Sequence, residues 1–152
     1  MESRRSTRVG AASRFARNER GGSVSTSETT TNGVCIEVDA SYAAEHSAPQ
    51  LGQWFFLYTI RISNVGDETV QLLSRHWIIT DATGKVEEVR GPGVVGEQPV
   101  LQPGEAFQYT SGCPLATPWG SMRGRYEMRA AGGTRFQAEI MTFELRQPDA
   151  LH

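Results

Sequence analysis

Large apolar side chains recur at every second position along much of this chain, the period of a strand with one face on a core and the other in water. Val34, Ile36 and Val38 alternate with Cys35, Glu37 and Asp39, and Trp54, Phe56, Tyr58, Ile60 and Ile62 repeat the pattern over a longer run. Residues 64–67, including Gly66, read as a turn. Residues 70–80 supply a third strand carrying Leu72, Leu73, Trp77, Ile78 and Ile79, and residues 81–84 turn again. Further strands are predicted over residues 86–90, 106–110, 125–130 and 135–145. In the strand at 125–130, Tyr126, Met128 and Ala130 face inward while Arg125, Glu127 and Arg129 face water. In the last strand Phe136, Ala138 and Ile140 share one parity and Phe143 and Leu145 the other, which predicts a β-bulge near Met141 and Thr142. No twelve-residue window reads as an amphipathic helix, and 16 glycines and 7 prolines punctuate the chain. The expected fold is all-β, a sandwich of two antiparallel sheets.

Composition divides this picture in two. Residues 1–31 are rich in Arg, Ser, Thr and Gly, and Val9, Phe15 and Val24 are their only large apolar side chains besides Met1. Such a segment buries too little surface to offset its ordering entropy, so residues 1–31 are expected to be an unstructured extension. The domain is then residues 32–147, with residues 148–152 a short tail. The extension also holds the basic charge. Residues 1–30 carry six arginines against three glutamates, leaving nine basic against fourteen acidic residues in an otherwise acidic body. Nucleic-acid contact is expected only through this extension. No apolar run suits a membrane span or a secretory leader, so the chain is expected in the cytoplasm with no membrane partner. Cys35 and Cys113 are too few for a disulfide scaffold. The order Cys35, Trp54, Cys113 invites an immunoglobulin-type core bridge, but Cys35 sits on the outward parity of its strand and Cys113 falls in a Gly/Pro-rich stretch read as a loop.

The segment Leu72-Leu73-Ser74-Arg75-His76-Trp77-Ile78-Ile79-Thr80-Asp81, then Gly84, Glu88-Val89 and Gly91-Pro92-Gly93-Val94-Val95-Gly96-Glu97-Gln98-Pro99, resembles the central signature of the ApaG family. The likeness continues through Pro103-Gly104-Glu105, Ser111-Gly112, Thr117-Pro118, Gly120, Gly124, Tyr126 and Met128 to Phe143 and Leu145. It spans about 110 residues and leaves the first thirty outside. The resemblance implies a fibronectin type III-like, immunoglobulin-related sandwich and a cytoplasmic bacterial protein linked to cobalt tolerance and magnesium efflux, with no agreed molecular activity. Similar domains in eukaryotes imply a recognition module. Many members carry a proline just after the position of Ile140, where this chain has Met141.

Several residues carry candidate chemistry. Gly91, Gly93 and Gly96 satisfy G-x-G-x-x-G, which in a dinucleotide-binding unit lets amides approach a pyrophosphate at a helix N-terminus. Pro99 and Pro103 follow in place of a helix, and Glu87, Glu88 and Glu97 surround the loop, so the motif reads first as a structural turn. An anion nest of Gly91, Gly93 and Gly96 with Arg90 beside it is the weaker reading. His46, His76 and His152 have no metal-ligand spacing, so no dedicated transition-metal site and no cofactor is expected; Asp39, Glu45 or the Glu87-Glu88 pair offer oxygen ligands for at most a low-affinity hard-cation site. Ser74, His76 and Cys113 form no recognisable nucleophile constellation, so no enzyme activity is expected. Phe55 and Leu57 are apolar on the outward parity of their strand, and Trp119 sits in a predicted loop. These three are the candidate partner-binding residues of a non-catalytic protein-interaction module, with self-association as one outcome. The alternative is a sensor of pyrophosphate, nucleotide or divalent metal at the glycine loop.

Overall fold

Alternating burial organises the chain into two stacked pleated layers, and the computed structural model describes residues 2–10 and 24–148 of them. The strands are β1 (Glu2–Gly10), β2 (Val24–Thr31), β3 (Val34–Tyr42), β4 (Trp54–Asn64), β5 (Val70–Asp81), β6 (Val86–Pro92), β7 (Val100–Leu101), β8 (Glu105–Leu115), β9 (Trp119–Ala130) and β10 (Arg135–Arg146). One sheet runs β1-β8-β4-β3-β2 and the other β10-β9-β5-β6, with β7 paired to the start of β5. Every pairing is antiparallel. Two short 3-10 turns, Ala44–His46 and Pro49–Leu51, link β3 to β4. No helix among the described residues is long and apolar enough to cross a membrane.

The core lies between the sheets. Ile36, Phe56, Ile60, Ile62 and Tyr109 of the first face Leu72, Met122, Tyr126, Met128, Ile140 and Phe143 of the second, all fully buried. Trp77 is its aromatic hub, with ring centroids 5.5 Å from Tyr58, 6.0 Å from Phe143 and 6.4 Å from Tyr126, each edge-on. The hydroxyls of Tyr109 and Tyr126 join the layers through a buried hydrogen bond of 2.5 Å. The bulge expected near Met141 and Thr142 is present as a register shift between Ile140 and Phe143. A second shift, between Leu72 and Ser74 in β5, was not foreseen.

The expectation of an unstructured residue 1–31 extension does not hold for two of its segments. Residues 2–10 pair with β8, and residues 24–31 form β2 along β3. Apolar content misleads for β2 because an edge strand needs little of it. Its Ser/Thr side chains alternate between half-buried and exposed, and β-branched threonine suits extended backbone. The inward hydroxyls meet the edge of the opposite sheet: Ser25 Oγ accepts the Glu144 N–H at 2.8 Å, Ser27 Oγ donates to the Met141 carbonyl at 3.0 Å, and Thr31 Oγ1 accepts the Glu139 N–H at 3.4 Å. Arg14, Arg17 and Arg20 of the expected nucleic-acid-binding stretch lie outside the described residues.

Two predicted strands are also longer than expected. β8 runs on to Leu115, so Cys113 is a buried strand residue rather than a loop residue, and β9 begins at Trp119 rather than Arg125. The glycines that read as loop signals sit inside β9 because backbone crowds them. A Cβ on Gly120 would lie 2.5 Å from the Thr80 carbonyl oxygen, and one on Gly124 would lie 2.2 Å from that of His76. Pro114 is tolerated in β8 for a related reason. Its partner Phe55 directs its carbonyl to the Ala43 N–H and its own N–H to Ser47 Oγ, so Pro114 has no ladder bond to supply there.

Candidate functional site

The sandwich is closed on one side and open on the other. On the closed side β2 covers β10 through the hydroxyl contacts above. On the open side β6 ends its sheet, and no strand pairs with its outer edge among the described residues.

Which backbone groups that edge offers follows from the register. Asp81 N–H donates to the Lys85 carbonyl and Gly93 N–H to the Leu73 carbonyl, and between these bonds Ile79 pairs with Glu87, Trp77 with Val89 and Arg75 with Gly91. In an antiparallel ladder alternate pairs exchange hydrogen bonds, so Glu87, Val89 and Gly91 bond to β5. Glu88 and Arg90 therefore turn their N–H and C=O groups away from β5, into solvent. This is the standing invitation of an unpaired edge.

Beside it the two layers part to leave a cavity of about 400 Å³. Tyr58, Trp77 and Met122 floor it, Val89, Ile79 and Glu87 line it from one sheet, and Ser111, Cys113 and Pro114 from the other. Arg75 occupies its far end. Its Nη1 donates to the carbonyls of Pro92 and Gly93, both at 2.9 Å, and its guanidinium fills the place a side chain on Gly91 would take, 3.0–3.2 Å from that Cβ position. The groove thus runs from a cation at Arg75, past Val89, to an anion at Glu87. Cys113 lies at its wall, where burial first and the Glu87 charge second push its thiol up to about 12. Both Cys35 and Cys113 are free thiols, so the tempting core bridge is absent.

The glycine motif has a structural explanation at each position. Gly91 makes room for Arg75. Gly93 has φ +62°, and a Cβ there would lie 2.2 Å from the Glu97 carbonyl oxygen. Val95 and Gly96 both have positive φ, the conformation of a tight hairpin turn, closed by reciprocal bonds between Val94 and Glu97 and anchored by the fully buried Val94. The amides of Gly93, Val94 and Glu97 all donate to protein carbonyls, so they do not converge on an anion.

Arg90 instead belongs to the outer face of its sheet, in a cross-strand row with His76 and Arg125. A shallow cavity of about 300 Å³ lies there, lined by Ser74, His76, Arg90, Arg125 and Glu127 among others. His76 Nε2 hydrogen-bonds Glu88 Oε1 at 2.7 Å, and Arg90 reaches the same oxygen at 3.3 Å. The His76 contact is the first cause holding the Glu88 carboxyl below its ordinary range. Ser74 and His76 share this outer face while Cys113 faces the core, so the three never meet.

The candidate contact residues separate as well. Phe55 and Leu57 lie half-buried on the outer face of the first sheet, with the His46 ring edge-on to Phe55 at 5.9 Å. Trp119 opens β9 on the outer side of the second sheet, opposite Arg146. One flat contact cannot include all three. Sequence parity also misplaced Cys35, Glu37, Arg61 and Ser63, which are buried on the supposedly wet side of β3 and β4; Glu37 and Arg61 form an ion pair there at 3.8 Å. Among the described residues no group of three or more His, Cys, Asp or Glu side chains could hold a metal. The open edge and its groove were missed because an unpaired strand edge has no signature in composition.

Fold and site together define a two-sheet all-β sandwich domain with one protected and one open side. The chain belongs to the ApaG domain family, whose match covers residues 44–130. It is 55% identical over 119 residues to Protein ApaG of Thiobacillus denitrificans, covering 78% of this chain and 94% of that protein. With Protein ApaG of Dechloromonas aromatica the figures are 54% over 124 residues, 80% and 98%. Among solved structures, the putative ApaA protein from Bordetella pertussis superposes with a TM-score of 0.75 at 50% identity, covering 77% of this chain and 95% of that one.

Proposed function

We propose that this domain is a non-catalytic recognition module of the cytoplasm that takes an extended polypeptide segment along the free edge of β6. The observation that carries the reading is the pairing of solvent-facing Glu88 and Arg90 backbone groups with a groove of alternating character alongside. In strand addition the main-chain bonds supply affinity, and alternate side chains of the added strand are read by the surface beneath. Here that surface would read an acidic residue at Arg75, an apolar one at Val89 and a basic one at Glu87. A part in cobalt or magnesium homeostasis would run through the partner so engaged. The test uses a displayed library of random linear peptides. Enriched peptides are expected to slow hydrogen exchange at the Glu88 and Arg90 amides and to bind an Arg90→Pro variant about tenfold more weakly or worse. That substitution removes an outward N–H and leaves the β5 ladder intact. Peptides that bind Arg90→Pro as tightly as the parent would sink the reading.

A second reading rests on the Arg90–His76–Arg125 row, whose cations suit a small anion such as pyrophosphate on the sheet face rather than in the glycine loop. Calorimetric titration with pyrophosphate should give heat that an Arg125→Ala variant lacks; an unchanged titration removes it.

A further inference from the structure

We propose that the segment best matched to this edge is β6 of a second copy of the same chain, so that the two four-stranded sheets join across a two-fold axis. The inference rests on strand addition at β6 and adds the identity of the partner and the register.

Antiparallel self-pairing must bring together residues whose backbone groups both point outward, and in β6 these include Glu88 and Arg90. With Arg90 opposite Glu88 of the second copy, symmetry places Glu88 opposite Arg90 of that copy. Each of the two equivalent pairs exchanges both its N–H···O=C bonds. Val89 then faces Val89 of the second copy on the axis, a β-branched pair where strands approach most closely. The charges flanking this pair also match. On the outer face each Arg90 meets a carboxylate and each Glu88 a guanidinium. On the groove side Glu87 of the second copy falls opposite Gly91, the residue against which the Arg75 guanidinium lies. Four opposite-charge contacts thus surround one apolar pair, and no like charges face one another. The edge is self-complementary, as a two-fold interface requires.

Two-fold registers centred on Glu87, Glu88 or Arg90 would each set a charged residue against itself at the centre of the interface, and one centred on Gly91 would pair Arg90 with Pro92, which has no N–H to give. Charge and that missing donor therefore select the Val89-centred arrangement. Among the described residues no strand lies beyond Glu88 and Arg90, so within them this edge is available. The opposite edge of the same sheet is already engaged by the β2 hydroxyls.

Sedimentation velocity on the full chain from micromolar to millimolar concentration tests this. The parent should show a monomer–dimer equilibrium. Arg90→Glu or Glu88→Arg alone, each altering two symmetric contacts at once, should weaken it by about tenfold to a hundredfold, and the combined exchange should restore it. Arg90→Pro, which leaves the charge at Glu88 but removes a pairing amide, should be monomeric. A parent that stays monomeric throughout, or a dimer indifferent to Arg90→Glu and Arg90→Pro, overturns self-pairing. If the parent is monomeric but selected peptides still protect the Glu88 and Arg90 amides, only the identity of the partner fails; if that protection is absent too, the edge itself is not a recognition site.

Discussion

Cys113 shows how one side chain reports on its surroundings. Its thiol, held up to about 12 by burial and by Glu87, keeps its proton in the folded state well above the value of about 8.5 expected in the unfolded chain. A raised pKa favours folding fully below the unfolded value, and that contribution is lost as pH climbs toward the folded one. Within this window each pH unit costs up to about 1.4 kcal/mol. A Cys113→Ala variant should therefore be less stable than the parent by about 1 kcal/mol at neutral pH and yet decline less steeply above about pH 9. Urea unfolding at a series of pH values checks this, and parallel pH profiles for the two proteins would refute it. The same residue scale explains the glycine motif. Read from its spacing alone, it resembles a phosphate cradle. Read with its neighbours, Gly91 yields to a guanidinium and Gly93 to a carbonyl.

At the scale of the element, the two open edges that most need management are treated differently. β10 is capped by hydroxyls from β2, and β6 carries Glu87, Glu88 and Arg90 in the manner of a charged edge strand. Replacing Ser25 and Ser27 together by alanine removes two side-chain bonds to β10 backbone groups. The expected loss is about 1–2 kcal/mol, with faster hydrogen exchange at the Glu144 amide. Unaltered exchange at Glu144 would mean that the hydroxyls do not close that edge. β2 was legible in its Thr-rich alternation only once a partner edge was known, since no apolar residue announces it. The starts and ends of β8 and β9 were hidden for the opposite reason. Gly120, Gly124 and Pro114 are local loop signals whose places in strands are licensed by backbone on neighbouring strands.

At the scale of the whole molecule, the relatives match 77–80% of this chain and the family match covers residues 44–130, which leaves the N-terminal strands outside it. A chain beginning at residue 24 should melt within a few degrees of the full protein. One beginning at residue 32 loses β2 and exposes β10, and should melt on the order of 10 °C lower. Calorimetry of the two truncations decides the matter, and equal melting points would show that β2 contributes nothing to the fold.

What the sequence determined by itself was the alternation, and with it the two layers, most strands, the bulge after Ile140 and the inward faces of β3, β4, β9 and β10. These depend on which side of a strand each residue falls, and parity is written in the order of residues. What only the tertiary structure decided was which strand edge is left without a neighbour, which glycine yields to which carbonyl, and whether Phe55, Leu57 and Trp119 share a surface. Those are matters of what lies across space from a residue, and local pattern carries no information about that.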